Sequence, residues 1–322
     1  MQVAFVPRYG PPDVVELREL PDPVPAAGQI RVRVHATAVT AGDMRVRSGV
    51  LPRGFGLLRG PALGFGGPRQ PILGTDLAGV VDAVGPGVER FRVGDAVVAF
   101  PGSAMGAHAE RVLLPADGRV VAKPPSLSFE DAAAIPFGAC TALHFLRVGG
   151  VKAGERVLVN GASGNVGSMA VQLARHLGAR VTGVCGAANA DLVRSLGAEA
   201  VIDHRAVDFA TLDQRWDVVV DTVGNAPYAR VAPVLAPGGR LLAVLADLPS
   251  TLGAAFAGRS AGHRVLAGPA AEKVEYLQEV IDLAGAGTIR PVIDSVLPFA
   301  RIADGYRVAD SGRKRGSVVL TA

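Results

Sequence analysis

One stretch constrains this chain more than any other: Arg156-Val157-Leu158-Val159-Asn160, then Gly161-Ala162-Ser163-Gly164-Asn165-Val166-Gly167. The first five residues read as an apolar strand. Beyond the glycines, Val166, Met169, Ala170, Leu173 and Leu177 fall on one helical face. Gly178 ends that helix and residues 180–184 read as the next strand. A strand that turns through glycines into a helix and returns as a strand is a β-α-β unit with a parallel crossover. The pattern repeats: a helix with Leu192, Val193 and Leu196, a strand at 200–203, a strand at 217–221, a helix around 228–235 and a strand at 240–245. This predicts a parallel sheet with helices on both faces. Val265 to Ala267, after His263, read as its last strand, and Val274, Leu277, Ile281 and Ala284 as a closing helix.

The N-terminal part obeys a different period. Ile30, Val32 and Val34 alternate with Arg31, Arg33 and His35, which gives a strand with one wet face. Short runs at 78–84, 95–100 and 110–114 follow, separated by turns such as Gly85-Pro86-Gly87. Residues 47–71 are rich in Gly, Pro, Arg and Leu without a clear period, and read as one long loop. After residue 289 the chain returns to short strands and turns.

Composition removes several classes. With 49% apolar and 19% charged residues in 322, the chain is globular, not disordered. Its net charge of +4 comes from 33 basic residues, of which only Lys123, Lys152, Lys273 and Lys314 are lysine. The arginines are scattered, whereas a nucleic-acid surface needs them clustered, so no nucleic-acid partner is expected. Two cysteines, Cys140 and Cys185, cannot build a disulfide framework or a four-thiolate zinc site. The uncharged stretch 132–146 is too short to span a bilayer, and no secretory leader pattern is visible. A cytoplasmic protein without a membrane partner is expected.

The glycine loop suits a pyrophosphate. Glycine lets backbone approach the phosphates, and the amides and dipole of the helix N-terminus attract the anion. The strand–loop–helix context supports dinucleotide binding. An NAD site usually carries Asp or Glu at the end of the second strand for the ribose 2′-OH. Here residues 184–190 (Val-Cys-Gly-Ala-Ala-Asn-Ala) hold no acid. His204 and Arg205 stand after the third strand; they either supply donors to a 2′-phosphate or are ordinary solvent-exposed loop residues. Rival signatures fail. Asn160 precedes the loop where a methyltransferase would show an acid before a Gly-x-Gly turn, and Asn at position 165 keeps the loop from being a Gly-x-Ser-x-Gly elbow; the Tyr-x-x-x-Lys of a short-chain dehydrogenase, Walker A and His-Glu-x-x-His are absent from the sequence.

Further motifs add a resemblance. Gly74-Thr75-Asp76-Leu77-Ala78-Gly79-Val80-Val81, Val88-Glu89-Arg90-Phe91-Arg92-Val93-Gly94-Asp95, residues 160–178, Asp221-Thr222-Val223-Gly224 and Arg315-Gly316-Ser317-Val318-Val319-Leu320 span nearly the whole chain. Together they resemble the medium-chain dehydrogenase/reductase superfamily, in its zinc-free quinone oxidoreductase branch. The resemblance implies an α/β fold: a GroES-like β-barrel domain of residues 1–124 completed by 286–322, and a Rossmann domain of residues 125–285, with the active site in the cleft between them.

It also implies site residues. Thr141 matches a threonine near the nicotinamide. Ser163, Gly164, Asn165 and Val166 match the pyrophosphate loop, and Cys185, Gly186 and Asn189 the adenosine-ribose turn. His204 falls where relatives often have Tyr near the 2′-phosphate, and Val223, Val244 and Leu245 at strand ends beneath the cofactor. Zinc members place Cys at the 40–43 segment and His-Glu at Thr75-Asp76, so no metal is expected. The branch's usual tyrosine proton donor is replaced around Leu51, which leaves the catalytic group unassigned. Thr40, Asp43 and Leu51 are candidates for the substrate and nicotinamide cleft, although Asp43 also suits a cap on the following turn. The expected cofactor is NADPH ahead of NADH, and the expected substrate a quinone or other apolar, conjugated acceptor. Alternatives are a 2-enoyl thioester reductase of a biosynthetic pathway and a weakly catalytic NADPH-binding protein. In relatives the last Rossmann strand pairs across a two-fold axis, so a homodimer is expected.

Overall fold

The structure, a computed structural model, describes residues 1–247 and 262–322. The chain begins with β1 (Gln2–Phe5), β2 (Glu16–Glu19), the long β3 (Gln29–Val39), α1 (Ala41–Ser48) and the short α2 (Arg59–Leu63). Next come β4 (Leu77–Val84), β5 (Ala96–Ala99), β6 (Arg111–Pro115), β7 (Val120–Ala122), α3 (Phe129–Ala133) and α4 (Pro136–Gly149). The β-α repeat follows as β8 (Arg156–Asn160), α5 (Asn165–His176), β9 (Arg180–Cys185), α6 (Ala190–Ser195), β10 (Ala200–Asp203), β11 (Trp216–Asp221), α7 (Tyr228–Val231), β12 (Leu235–Ala243) and β13 (Arg264–Ala267). α8 (Val274–Gly285), β14 (Ile293–Pro298), α9 (Ile302–Asp310) and β15 (Ser317–Thr321) end it. Two compact units result: Met1–Leu51 with Leu57–Phe137 and Glu272–Ala322, and Gly138–Ala271 with the short segment Pro52–Gly56.

The first unit is built on a sheet of order β14-β15-β3-β4-β5-β7, with β6 also paired to β3. One edge of β3 is shared: Gln29 to Arg33 pair with β6, and Ala36 to Val39 with β15. Register shifts after Arg31 and Val34 bend the strand, which is how such a sheet curls toward a barrel. The alternation read from sequence holds: Ile30, Val32 and Val34 are buried with Val3, Leu77, Val97 and Val120.

The second unit is a six-stranded parallel sheet of order β10-β9-β8-β11-β12-β13. From β8 the chain steps outward to β9 and β10, then returns to β11 on the other side of β8. The carboxyl ends of β8 and β11 therefore flank the topological switch point, where open α/β sheets bind ligands. Leu158, Val184, Trp216, Val219 and Leu241 form its core.

Two sequence readings are corrected. Residues 47–71 are not one irregular loop. Arg47 belongs to the last turn of α1 and is buried, its guanidinium on Asp310 at 2.6 and 2.9 Å and over the Tyr306 ring, and α2 interrupts the remainder. The helix read around 228–235 stops at Val231 and gives way to a 3-10 turn, because Pro233 carries no amide donor. The two compact units divide at 137/138 and 271/272, whereas the expected domain boundaries are 124/125 and 285/286. α8 joins the first unit because Gly285 packs on the Pro124 ring, Ser126 Oγ donates to Gly285 O at 2.9 Å, and Glu272 pairs with Arg119 at 3.1 Å.

Candidate functional site

The glycine loop between β8 and α5 is held from below. Gly161 has φ +82°, and a Cβ there would meet Thr222 Oγ1 at 2.6 Å and Val223 Cγ2 at 2.7 Å. The amides of Gly161 and Ala162 both donate to Val184 O on β9. A Cβ on Gly167 would lie 2.0 Å from Gly161 O, so the first turn of α5 needs glycine to seat on the loop. Gly164 differs. It is the N-cap of α5, has an ordinary φ of −78° and offers no side-chain cap. Its missing Cβ would meet only Gly161 O, at 3.4 Å. Glycine there leaves space above the first-turn amides, which have no partners within the helix.

Asp221 organises the switch point. Its buried carboxylate accepts from Asn160 Nδ2 at 2.9 Å, from the amides of Val223 and Gly224 at 3.0 and 3.1 Å, and from the Ala226 amide at 3.0 Å. Val223 is thereby presented, exposed, at the end of β11. Val244 is tied to the same residue by its amide on Asp221 O, and Leu245 packs over Gly224. Sequence reading named Asp221 and Asn160 only as parts of motifs. A signal for their role was present, since an Asp followed two residues later by Val-Gly suits a carboxylate that caps its own turn.

Asn165 opens α5 with its carboxamide buried against Gly138, and neither Oδ1 nor Nδ2 has a partner. Gly138 lies on α4 three residues before the half-buried Thr141. A buried orphaned amide costs about 1–3 kcal/mol unless a ligand satisfies it. At the other end of the loop, Asn189 Nδ2 donates to Ser163 Oγ at 3.2 Å, which joins the glycine loop to the turn after β9. Cys185 is buried in that turn; burial and the Asp203 charge push its thiol up. The exposed His204 donates its amide to Cys185 O, with its ring over Gly186. The structure thus gathers Ser163, Gly164, Asn165, Val166, Cys185, Gly186, Asn189, His204, Val223, Val244 and Leu245 along the carboxyl ends of one sheet. The cradle over Gly164 and the orphaned amide of Asn165 fit a dinucleotide.

In the first unit, Thr40 and Asp43 have the capping role. Thr40 is the N-cap of α1. Asp43 Oδ2 accepts from Thr40 N at 2.8 Å and Thr40 Oγ1 at 2.7 Å, while Oδ1 takes the Gly74 amide at 2.9 Å. Both residues are fully buried and their side chains form a capping box, the second of the two readings open for Asp43. Leu51 is half-buried beyond the left-handed Gly49 that ends α1. Beside the cap, Asp76 is fully buried. Its Oδ2 takes the Phe137 amide at 3.3 Å and its Oδ1 has no partner. Burial first, then the nearby Asp43 carboxylate, holds the Asp76 carboxyl well above the usual range. Among the described residues no group of three or more His, Cys, Asp or Glu is placed to hold a metal ion.

Comparison with known proteins agrees with this architecture. Residues 26–125 match the alcohol dehydrogenase GroES-like domain family, and residues 196–320 the zinc-binding dehydrogenase family. The chain is 31% identical over 325 residues to the mitochondrial NAD(P)H oxidoreductase RTN4IP1 of Homo sapiens, covering 91% of this chain and 81% of that protein. It is 34% identical over 317 residues to the Pikromycin polyketide synthase component PikAII of Streptomyces venezuelae, covering 94% of this chain and 8% of that protein. The quinone oxidoreductase from Coxiella burnetii superposes with a TM-score of 0.88 at 26% identity, covering 100% of this chain and 99% of that one. The chain belongs to the medium-chain dehydrogenase/reductase superfamily, in its quinone oxidoreductase branch. As such it is an NAD(P)H oxidoreductase. None of the helices among the described residues is long and apolar enough to cross a membrane.

Proposed function

We propose that this protein uses NADPH to reduce a quinone or an activated α,β-unsaturated carbonyl, without zinc, as a cytoplasmic homodimer. The observation that carries the reading is the Gly161–Gly167 loop with its open Gly164 and unpartnered Asn165 carboxamide at the switch point. When bound, the nicotinamide supplies the hydride; the organic chemistry is the cofactor's. The chain's contribution is binding and orientation. The first turn of α5 holds the pyrophosphate, Asn189 and Ser163 fix the ribose turn, and Val223, Val244 and Leu245 form an apolar wall for the nicotinamide face. Thr141 offers the one hydroxyl of this set on α4. NADPH is favoured over NADH by the absence of acid in residues 184–190 and by His204 and Arg205. A quinone spreads incoming charge and takes its proton from solvent, so it needs no dedicated acid, in keeping with Leu51 where relatives carry tyrosine.

Similarity to a stretch of a polyketide synthase favours a second reading, a 2-enoyl thioester reductase of a biosynthetic pathway. NADPH oxidation with a panel of quinones, and in parallel with 2-enoyl thioesters, decides between them. Turnover of quinones alone supports the first reading, and turnover of thioesters alone replaces it with the second. A protein that binds NADPH but turns over neither would be a weakly catalytic NADPH-binding protein.

A further inference from the structure

We propose that the face built by Tyr9 and residues 57–69 docks on a bilayer surface that carries anionic lipids. The proposal goes beyond the reaction proposed above and does not depend on it. It departs from the expectation of no membrane partner, which rests on the missing span and leader; a protein that lies on a bilayer needs neither. Between Asp43 and Asp76 stand five arginines and no Asp or Glu. Arg45 and Arg47 belong to α1, and Arg47 is spent on Asp310. Arg59 and Arg69 are exposed, and so is Arg8, far away in sequence. Tyr9 gathers these three. The Arg59 guanidinium lies over the Tyr9 ring, 5.4 Å from its centroid, and Tyr9 Oη donates to Gly64 O at 2.8 Å. The charges of both Arg59 and Arg69 act on that hydroxyl. A Cβ on Gly67 would lie 2.6 Å from Pro7 O and 3.1 Å from Arg8 Cα, so the segment runs against the Arg8 backbone. Arg69 is steadied by Pro61 O at 2.8 Å. Among the described residues none of the three pairs with a carboxylate, so their charge is locally uncompensated.

Large apolar side chains stand among these charges. Leu57 is 95% exposed and Phe65 83%, one on either side of α2 in the chain. The Phe65 ring rests on the bare Cα of Gly60, where a Cβ would meet it at 2.6 Å, and the rest of it faces solvent. Val50, just beyond the left-handed Gly49, is exposed as well, and Gly49 is packed by the Tyr9 ring, which a Cβ there would meet at 2.8 Å. Apolar groups gain by leaving water, and these have no cover. An acidic protein partner would have to fit about 800 Å² of surface on each side. A bilayer interface asks for less: it accepts single apolar side chains between the headgroups, while neighbouring arginines keep their charge at the level of the phosphates. Leu57 and Phe65, with Arg59 and Arg69 beside them and no acid in the stretch, meet that demand, and the positive face complements anionic lipid.

The test sediments the full chain with vesicles of phosphatidylcholine alone and of phosphatidylcholine mixed with phosphatidylglycerol. The native protein should bind the mixed vesicles and not the neutral ones, and should come off at about 1 M salt, where charges are screened beyond about 3 Å. An arginine near an anionic surface is worth about fivefold, so the double variant Arg59→Gln, Arg69→Gln should partition about 20–30-fold more weakly. Leu57→Ser with Phe65→Ser should also weaken binding while leaving its salt dependence in place. Melting temperatures near the native value show that the variants are folded. A second measurement needs no variant: mixed vesicles should protect the native chain from trypsin after Arg59 and Arg69. Failure to bind mixed vesicles at low salt, binding of the arginine variant equal to the native, or unchanged cleavage at Arg59 and Arg69 would each overturn the proposal. Binding of poly-glutamate through Arg59 and Arg69, without binding to vesicles, would replace the bilayer with an acidic protein partner.

Discussion

The carboxamide of Asn165 rests on the bare Cα of Gly138, so close that a Cβ built on Gly138 would lie 1.8 Å from Asn165 Oδ1. Both residues belong to the dinucleotide-binding unit. Asn165 is the first residue of α5, and its amide group has no partner of its own. Gly138→Ala must push that side chain off its seat. NADPH affinity should then fall by about tenfold, the equivalent of one lost hydrogen bond of about 1.4 kcal/mol. Asn165→Ala should cost a similar factor, and the double variant little more, because both changes remove one interaction. Fluorescence titration of the four proteins checks this; additive losses would show that Gly138 does not act through Asn165.

Gly164 and Gly167 should respond in opposite ways. At Gly164 a side chain meets only Gly161 O at 3.4 Å, and the backbone angle is ordinary. Gly164→Val should fold with a melting temperature near the native value and lose both nucleotides, since its methyls fill the phosphate cradle. At Gly167 a Cβ would lie 2.0 Å from Gly161 O, so Gly167→Ala should lose about 1–3 kcal/mol of stability. Thermal melts beside binding titrations separate the two. Retained NADPH binding in a folded Gly164→Val protein would place the pyrophosphate elsewhere.

Much of the second unit was legible because each strand and helix there declares its own period, and the glycines mark the joints. The four strands read at 156–160, 180–184, 200–203 and 217–221 appear within a residue of their observed ends. What stayed hidden depends on distant partners. Arg47 reads as a polar loop residue until Asp310 and Tyr306, more than 250 positions away, are brought to it. Asp43 reads equally as a ligand contact or a cap, and only the Gly74 amide decides. The contact of α8 with Pro124 is a matter of packing and leaves no local pattern. The orphaned carboxamide of Asn165 is likewise invisible in sequence, since nothing local records that Gly138 will cover it.

Asp76 should make stability depend on pH. Burial and Asp43 raise its folded pKa above the unfolded value, so the folded protein binds the extra proton. The stabilisation linked to that proton is fully present below the unfolded value of about 4 and is lost as pH rises toward the folded pKa. Asp76→Asn keeps the shape of the neutral carboxyl and has no charge to bury. It should therefore melt at a higher temperature than the native protein near pH 8 and lose that advantage near pH 4. Parallel melts across this range are the measurement, and a constant difference between the two proteins would mean that Asp76 does not titrate differently in the folded state.

β13 is the edge strand of the parallel sheet, with Arg264 exposed and Val265, Leu266 and Ala267 half-buried. An edge of that character, unpaired among the described residues, is a template for a second chain. Light scattering at micromolar concentration should give a dimer mass. Val265→Pro, which removes a donor and inserts a ring at that edge, should shift the mass toward the monomer. A native protein that stays monomeric would show that this edge is not an interface.

The last prediction concerns reactions that need a Lewis acid. In zinc dehydrogenases the metal polarises the alcohol or carbonyl oxygen, and it requires about three ligands among thiolates, imidazoles and carboxylates. The positions where zinc members carry such ligands hold Thr40 to Asp43, Thr75 and Asp76 here. Asp43 has both oxygens engaged by Thr40 and Gly74, and Asp76 is pushed toward its neutral form, so neither offers a ready carboxylate. The imidazole of His108 is turned to Ala38 O at 3.1 Å and the Tyr306 hydroxyl at 3.4 Å. Simple alcohols and unactivated ketones, which depend on polarisation, should therefore react poorly, while quinones should react because they delocalise the incoming charge themselves. Chelator-treated protein should keep its full rate with NADPH and a quinone, and should give no measurable rate with NADP⁺ and ethanol or benzyl alcohol. Alcohol oxidation that disappears on chelation and returns with added zinc would reverse this assignment and locate a metal site among ligands other than Asp43 and Asp76.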